Sequence, residues 1–133
     1  MNEKQLQAKI VMDFSHKMPE ERGSLWSTRN TTFSVKDGQT QKAMGMIAGV
    51  SDLILYFEKR FVGIEIKVRG SSHSSKHVGQ QLKWGEKIID AGGEWYIVTT
   101  LEEFWDVVNK IKPEYTSQKV REMLENGKSK IKF

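Results

Sequence analysis

The sequence predicts a small α/β domain in which a mixed β-sheet is flanked by helices. Amphipathic helix patterns alternate with short β-branched and aromatic runs, and one helical segment separates two strand candidates, so those strands can run parallel. At 133 residues the chain has room for one such core. Its content of 38% hydrophobic and 29% charged residues is typical of a globular domain.

The N-terminal part is predicted to form a helix and then short strands. A helix capped by Asn2 runs to about Met18, because apolar residues recur at every fourth position. Strand candidates follow at 25–28 and 31–35. The Asp37-Gly38 pair predicts a turn, and the glycine-punctuated stretch 44–50 predicts a loop that leads to Asp52.

Two apolar runs at 53–57 and 61–68, joined by a charged tripeptide at 58–60, predict an antiparallel hairpin. If Glu58 and Lys59 form a two-residue turn, Asp52 lies directly across from Glu65. The turn lacks the Asn-Gly or Asp-Gly pair that favours such hairpins. A slipped register, which would make the two carboxylates diagonal neighbours, therefore stays open.

The rest of the chain predicts a helix over 78–91, a strand over 94–100 and a second helix from residue 101 to Pro113. Gly92-Gly93 ends the first of these helices, and a capping box from Thr100 to Glu103 begins the second. We expect one domain over 1–112 and a C-terminal helical extension with a basic tail over 113–133.

Strand alternation places Glu65 and Lys67 on one face, opposite Ile64, Ile66 and Val68. Two carboxylates that face each other across a hairpin need a compensating cation or a raised pKa. Oxygen ligands in a chain without cysteine favour Mg²⁺ or Mn²⁺ over zinc. Such an ion activates water for phosphodiester hydrolysis, and Lys67 is placed to orient that water and stabilise the transition state.

Three short motifs resemble the PD-(D/E)XK nuclease superfamily and, within it, the stand-alone phage or bacterial members of the VRR-NUC family. They are Gly49-Val50-Ser51-Asp52, Glu65-Ile66-Lys67 and Gln81-Leu82-Lys83-Trp84, and the resemblance runs from Glu3 to about Val108. It implies a restriction-endonuclease-like fold with catalytic residues Glu3, Asp52, Glu65, Lys67 and Gln81. It also implies a metal ion held by Asp52, Glu65 and the main-chain carbonyl of Ile66.

Two features depart from the family pattern. Ser51 stands where the family often has proline, and the serine-rich segment between Lys67 and Gln81 is long. The second departure leaves the site glutamine open between Gln80 and Gln81.

Each candidate also has a structural interpretation. Glu65 and Lys67 could alternate on a solvated edge strand, although Asp52 opposite favours a site. Glu3 lies in a first helical turn, where acidic residues favour the helix dipole. We expect His73 and His77 to be solvated spacers in the serine-rich segment, and the four tryptophans to belong to a core or an interface.

The formal charge of +4 and the pI near 9.3 suit a polyanionic partner. Arg69, Lys76 and Lys83, close to the candidate site in sequence, are predicted phosphate contacts. The polar N-terminus, the lack of cysteine and the lack of a long apolar run predict a cytoplasmic protein without a membrane partner.

The resemblance predicts a Mg²⁺- or Mn²⁺-dependent endonuclease that prefers branched DNA such as a Holliday junction. Paired cuts need two sites, so we expect a homodimer, with Trp105 and residues 120–124 as a possible interface core. Two alternatives remain: a DNA-binding module that keeps the nuclease fold without activity, and a restriction-type enzyme that recognises a short sequence.

Overall fold

A four-stranded sheet lies between two groups of helices in the computed structural model, which describes residues 1–28, 34–110, 117–126 and 131–132. The strands are, in spatial order, β1 (Leu25–Ser27), β2 (Leu53–Phe57), β3 (Arg60–Ile66) and β5 (Glu94–Val98). The first three are antiparallel, and β3 pairs with β5 in parallel. The predicted mixed sheet is confirmed, including the parallel pair across the helical crossover.

Five helices and one small additional sheet complete the described structure. A short 3-10 turn at Pro19–Glu21 follows the first helix, and strands β4 (Ser72–His73) and β6 (Ile131–Lys132) pair with each other. The helices are α1 (Glu3–Lys17), α2 (Val35–Ala43), α3 (Ser75–Asp90), α4 (Leu101–Lys110) and α5 (Ser117–Asn126). Within the described residues no helix has the length and apolar character that crossing a membrane requires.

Helix α1 begins at a reciprocal cap. The Asn2 side chain accepts a hydrogen bond from the Gln5 main-chain nitrogen, the Gln5 side chain accepts one from the Asn2 nitrogen, and both bonds are 2.8 Å long. The predicted apolar stripe is buried: Leu6, Ile10 and Phe14 are at most 4% exposed. Together with residues of α4, this stripe covers one face of the sheet.

The other face of the sheet is covered by α3 and α5. Val78 and Leu82 of α3 pack with Trp95 of β5 and with Val120 of α5, each at most 1% exposed. Arg121 of α5 also forms ion pairs with the Glu86 and Asp90 carboxylates of α3, at 3.3 and 3.1 Å. The predicted domain boundary between 112 and 113, the closing Pro113 and most of the basic tail lie outside the described residues.

The hairpin of β2 and β3 closes on a two-residue turn, as predicted. Glu58 and Lys59 have φ values of 53° and 64°, the left-handed conformation that a tight hairpin turn requires. Leu53 pairs with Ile64 and Phe57 pairs with Arg60. The predicted strand over 61–68 begins one residue earlier and ends at Ile66.

Strand β3 lies inside the sheet, between β2 and β5. Glu65 and Lys67, at its end and just beyond it, are only 1% and 2% exposed. The interpretation of these residues as a solvated alternation on an edge strand is therefore wrong.

The opposite end of β3 is tied to β5 by a bidentate ion pair. Arg60 Nε and Nη2 donate to the two Glu94 carboxylate oxygens, both at 2.6 Å. The Tyr96 hydroxyl donates to the same carboxylate at 2.9 Å. Paired hydrogen bonds of this planar kind are strong and directional, so they fix the parallel register away from the candidate site.

Helix α2 replaces a predicted turn and part of a predicted strand. The Ser34 side chain accepts from the Asp37 nitrogen at 3.0 Å and caps the helix, so Asp37 and Gly38 lie inside it. None of its side chains is buried, so its sequence carries no apolar stripe that would predict a helix. Of the strand predicted over 31–35, residues 31–33 lie outside the described part of the chain.

The predicted loop over 44–50 is confirmed and presses against α3. Gly49 has a φ of +90°, and a Cβ at this position would lie 2.4 Å from the main-chain oxygen of Gln80. Only glycine allows the backbone that carries Asp52 to approach the helix so closely.

We predict that Gly49→Ala destabilises the protein far more than Gly45→Ala. Gly45 also has a positive φ, of +106°, but a Cβ there meets no described atom within 4 Å. Gly45→Ala should cost about 1 to 2 kcal/mol for the backbone conformation alone. Gly49→Ala should cost about 1 to 3 kcal/mol more, because the helix backbone must move. Urea unfolding of both variants measures the difference, and equal losses would contradict the tight contact.

Candidate active site

A cavity of about 800 Å³ opens at the carboxyl end of β3. All five catalytic candidates from the sequence line it, and they come from both sides of the sheet. They are Glu3, Asp52, Glu65, Lys67 and Gln81. The structure therefore brings together residues that are up to 78 positions apart in the chain.

Asp52 is held in place by its neighbours in the chain and by β3. Ser51 is fully buried, and its hydroxyl accepts a hydrogen bond from the Trp95 indole nitrogen at 3.1 Å. Thr28 bonds to the main-chain oxygens of Ser51, through its hydroxyl, and of Asp52, through its nitrogen. The Asp52 carboxylate in turn accepts from the Ile66 main-chain nitrogen at 2.8 Å. The serine in the family's proline position thus anchors the loop.

Glu65 follows the hairpin register and lies across from Asp52. Its Oε1 accepts a hydrogen bond from Gln81 Nε2 at 2.9 Å, whereas Oε2 is buried without a partner among the described residues. Burial raises the pKa of Glu65 well above its ordinary value, and the nearby Asp52 carboxylate raises it further. The Lys67 ammonium opposes this pKa shift. The pair therefore favours a proton or a cation between the two carboxylates.

Lys67 continues β3 by one residue, and its main-chain nitrogen donates to the Val98 oxygen at 3.0 Å. Strand alternation places its side chain on the same face as Glu65. The side chain is 2% exposed, which is unusual for lysine. Its cation lies close enough to Glu65 and His77 to lower the pKa of both.

Glu3 reaches the cavity from the first turn of α1. Its Oε2 accepts from the Val68 main-chain nitrogen at 3.3 Å and lies 3.4 Å from His73 Nε2. The carboxylate thus contacts the chain immediately after β3, which gives Glu3 more than a helix-dipole role.

Of the two glutamines that the sequence left open, Gln81 faces the site. Its side chain is bonded to Glu65, and the residue is 6% exposed. Gln80 instead presents its main-chain oxygen to Gly49.

His73 and His77 line the cavity. His73 is only partly exposed, so its interpretation as a solvated spacer is wrong, whereas His77 lies on α3 and is exposed to solvent, as expected. His73 Nε2 lies 3.2 Å from the Ser71 hydroxyl, and His77 Nε2 lies 3.0 Å from Gln81 Nε2. Partial burial lowers the pKa of His77, and the nearby Lys67 ammonium lowers it further, with a smaller contribution from the His73 ring. The spacing of His77 and Gln81, one helical turn apart, is a signal in the sequence that indicates a shared helix face.

The three predicted phosphate contacts lie outside the cavity lining. Arg69, Lys76 and Lys83 are exposed, and Arg69 Nη2 lies 4.0 Å from the Glu103 carboxylate. Lys4, which belongs to none of the sequence motifs, lines the cavity.

Of three comparisons with known proteins, the one with solved structures gives a match. No family model and no curated protein matches the sequence. Among solved structures, a protein described as "VRR_NUC domain protein" superposes with a TM-score of 0.65 and 18% sequence identity. The alignment covers 83% of this chain and 87% of that chain.

This chain has a VRR-NUC-like fold. The likeness confirms the predicted architecture of a mixed sheet between helices. At 18% identity the likeness concerns the backbone, and the chemistry of the VRR-NUC-like domain depends on its own side chains.

The oxygen donors at the end of β3 fit a hard divalent cation. Asp52 and Glu65 supply two carboxylates. The Ile66 nitrogen points at Asp52, so the carbonyl of the same extended residue faces that side as well. Within the described residues no group of three His, Cys, Asp or Glu side chains could hold a metal. Two carboxylates and one carbonyl, with water as the remaining ligand, suit Mg²⁺ or Mn²⁺. Glu65 Oε2 accepts no hydrogen bond from the described residues, so it is available as a ligand atom.

We predict that Glu65→Gln stabilises the metal-free protein at neutral pH. A carboxyl whose pKa is raised on folding contributes stability at low pH and loses it as pH rises through the raised pKa. The neutral amide avoids that loss, so the free energy of unfolding should increase by about 1 to 3 kcal/mol. The gain should shrink towards pH 4.

Thermal or urea unfolding in EDTA at several pH values tests this effect. Glu58→Gln, on the exposed hairpin turn, is the matched control and should show no comparable gain. A Glu65→Gln variant that is less stable than the parent at pH 7 would refute the buried, destabilising charge.

Proposed function

We propose that this chain is a divalent-cation-dependent nuclease that hydrolyses phosphodiester bonds in DNA. The observation that carries the proposal is the pairing of the buried Glu65 with the partly exposed Asp52, with one Glu65 oxygen unpartnered among the described residues. Lys67 lies on the same face, at the floor of an open cavity. A VRR-NUC-like fold that holds this set of groups supports phosphodiester chemistry more than any other.

Asp52, Glu65 and the Ile66 carbonyl would hold the cation. When bound, the cation offsets the phosphate charge and lowers the pKa of a coordinated water. In the hydrolysis, a water oxygen forms a bond to phosphorus while one ester P–O bond breaks, which leaves a phosphate monoester and a hydroxyl group. The protein groups must therefore hold the two reactants and stabilise extra negative charge on the phosphate.

Lys67 provides the positive charge for that step. Its ammonium lies beside the carboxylates, where a donor to a non-bridging phosphate oxygen gains most in the transition state. Burial of the lysine reduces competition from solvent, so its charge acts at short range. Gln81 holds Glu65 by one hydrogen bond, and Glu3 and His73 border the same cavity.

The positive charge of the chain supports DNA, a polyanion, as the substrate. The chain carries a net charge of +4, and Arg69, Lys76 and Lys83 are exposed on segments that flank the cavity in sequence. We assign these three residues to phosphate contacts away from the scissile bond, with Lys4 nearer to it. Contacts of this kind position DNA without reading its sequence.

We predict that Asp52→Asn, Glu65→Gln and Lys67→Met each reduce DNA cleavage by at least about 100-fold, because each removes a charge on which the reaction depends. Matched substitutions at the other end of the hairpin, Glu58→Gln and Lys59→Met, should leave cleavage unchanged. Cleavage should require Mg²⁺ or Mn²⁺, and both Ca²⁺ and EDTA should abolish it. Time courses on a panel of labelled DNA structures measure all of these effects.

Three results would contradict the proposal of a metal-dependent nuclease, and a fourth would show that such a nuclease recognises a sequence. Cleavage that survives in EDTA, or that survives all three site substitutions, would remove the metal mechanism. DNA binding without cleavage under every metal condition would identify a non-catalytic binding module, and discrete fragments from plasmid DNA would identify sequence recognition.

We extend the proposal to assembly: the chain acts as a homodimer that prefers branched DNA, such as a four-way junction. Resemblance to junction-cleaving enzymes and the need for two sites in paired cuts support it. The residues suggested for the interface instead pack within the chain. Val120 is fully buried against α3, and the Trp105 indole donates to Asp13 at 2.7 Å. Exposed apolar side chains elsewhere, such as Trp26 and Ile47 at 43% and 58% exposure, are available for contact.

Light scattering should give a mass of two chains, and a binding series should rank junction above flap and linear duplex. Trp26→Ala should weaken a dimer that uses this surface, whereas Met12→Ala, at an exposed position on α1, serves as a comparison. A monomer that binds all three DNA forms alike would overturn both the dimer and the junction preference.

A further inference from the structure

The side chain of Gln81 is held between two acceptors. Its Nε2 atom lies 2.9 Å from Glu65 Oε1 and 3.0 Å from His77 Nε2. A primary amide nitrogen carries two protons, so it can satisfy both contacts at once. His77 lies one helical turn before Gln81, on the same side of α3.

This geometry fixes the state of the His77 ring. A Glu65 carboxylate that is ionised, as cation binding requires, can only accept a hydrogen bond, so the Gln81 amide presents Nε2 to it. The same nitrogen then donates to His77 Nε2, and the ring is neutral with its proton on Nδ1. Partial burial and the neighbouring Lys67 ammonium, which lower the pKa of His77, favour the same neutral form.

The ionised Glu65 carboxylate selects this orientation of the Gln81 amide, and a neutral His77 ring that accepts at Nε2 reinforces it. The reversed amide would direct its oxygen at the Glu65 carboxylate and at the lone pair of His77, and each contact would lose a hydrogen bond. With the amide nitrogen in place, Glu65 Oε1 is engaged. Oε2, which has no other partner among the described residues, is left for a cation beside Asp52.

We infer that His77 is a positioning residue that orients the Gln81 amide and, through it, the Glu65 carboxylate for cation binding. The inference rests on the proposed function, and it concerns a residue outside the three family-like motifs. His77 does not touch the reacting atoms in this role. Partners of metal ligands commonly change metal affinity by about 10- to 100-fold when they are replaced.

Two near-isosteric substitutions separate this role from contact with substrate. In His77→Gln the side-chain oxygen lies as many bonds from Cα as Nε2 does, so it can accept from Gln81. In His77→Asn the amide lies at the position of Nδ1 and cannot reach Gln81. A positioning role therefore predicts rescue by glutamine, whereas a phosphate contact through Nδ1 predicts rescue by asparagine.

The experiment is titration of Mn²⁺ into the DNA-free protein by calorimetry. We expect His77→Ala and His77→Asn to bind Mn²⁺ about ten-fold more weakly, and His77→Gln to bind it as the parent does. The Mn²⁺ concentration that half-saturates cleavage should shift in parallel. His16→Ala, at an exposed position on α1, is the matched control, and circular dichroism checks that each variant is folded.

Unchanged Mn²⁺ affinity in His77→Ala would overturn the inference, as would normal affinity in His77→Asn with weak binding in His77→Gln. The two proposals can fail separately. A parent protein that binds Mn²⁺ but cuts no DNA refutes the nuclease proposal, while the affinities of the variants still decide the role of His77. A parent that binds no Mn²⁺ overturns both.

Discussion

The two-residue turn at Glu58 and Lys59 determines which residues of β2 and β3 face each other. Both turn residues adopt a left-handed conformation, which costs a non-glycine residue about 1 to 2 kcal/mol. Sheet pairing and burial of both strands offset that cost. Because side chains alternate along a strand, a slip by one residue would move Asp52 to the face opposite Glu65. The turn therefore determines that the Asp52 and Glu65 carboxylates lie on the same face.

Burial of Glu65 strengthens the electrostatic interaction between the two carboxylates. Two carboxylates in water would repel each other weakly, but in the protein interior the cost of an unpaired charge is far larger. Glu65 is nearly inaccessible to solvent, and its second oxygen has no donor among the described residues. Helix α3 covers this face of the sheet, and its residue Gln81 donates to only one Glu65 oxygen, Oε1. Glu65 Oε2 therefore receives no hydrogen bond from the described residues, and a cation bound there would offset the carboxylate charge.

The central part of the fold could be predicted from local patterns in the sequence. Two apolar runs of strand length predicted the hairpin. The alternation of side chains along the second run placed Glu65 and Lys67 on one face. Helix α2 could not be found in this way, because it buries no side chain and its Asp-Gly pair favours a turn. The place of His73 depends on contacts that no local pattern encodes, whereas the spacing of His77 from Gln81 indicates a shared helix face but not the cavity that this face borders. His73 lies in a strand that pairs with Ile131–Lys132, and His77 depends on the packing of α3 over β3.

The bidentate pair of Arg60 and Glu94 lies at the far end of β3 from the cavity. The register of the parallel strands is thus secured by groups that take no part in the candidate chemistry. Substitutions at the cavity end therefore leave the ion pair that secures the sheet in place. One end of β3 holds the strands together while the other end carries the candidate site, so side chains at the cavity can be replaced one at a time without dismantling the sheet.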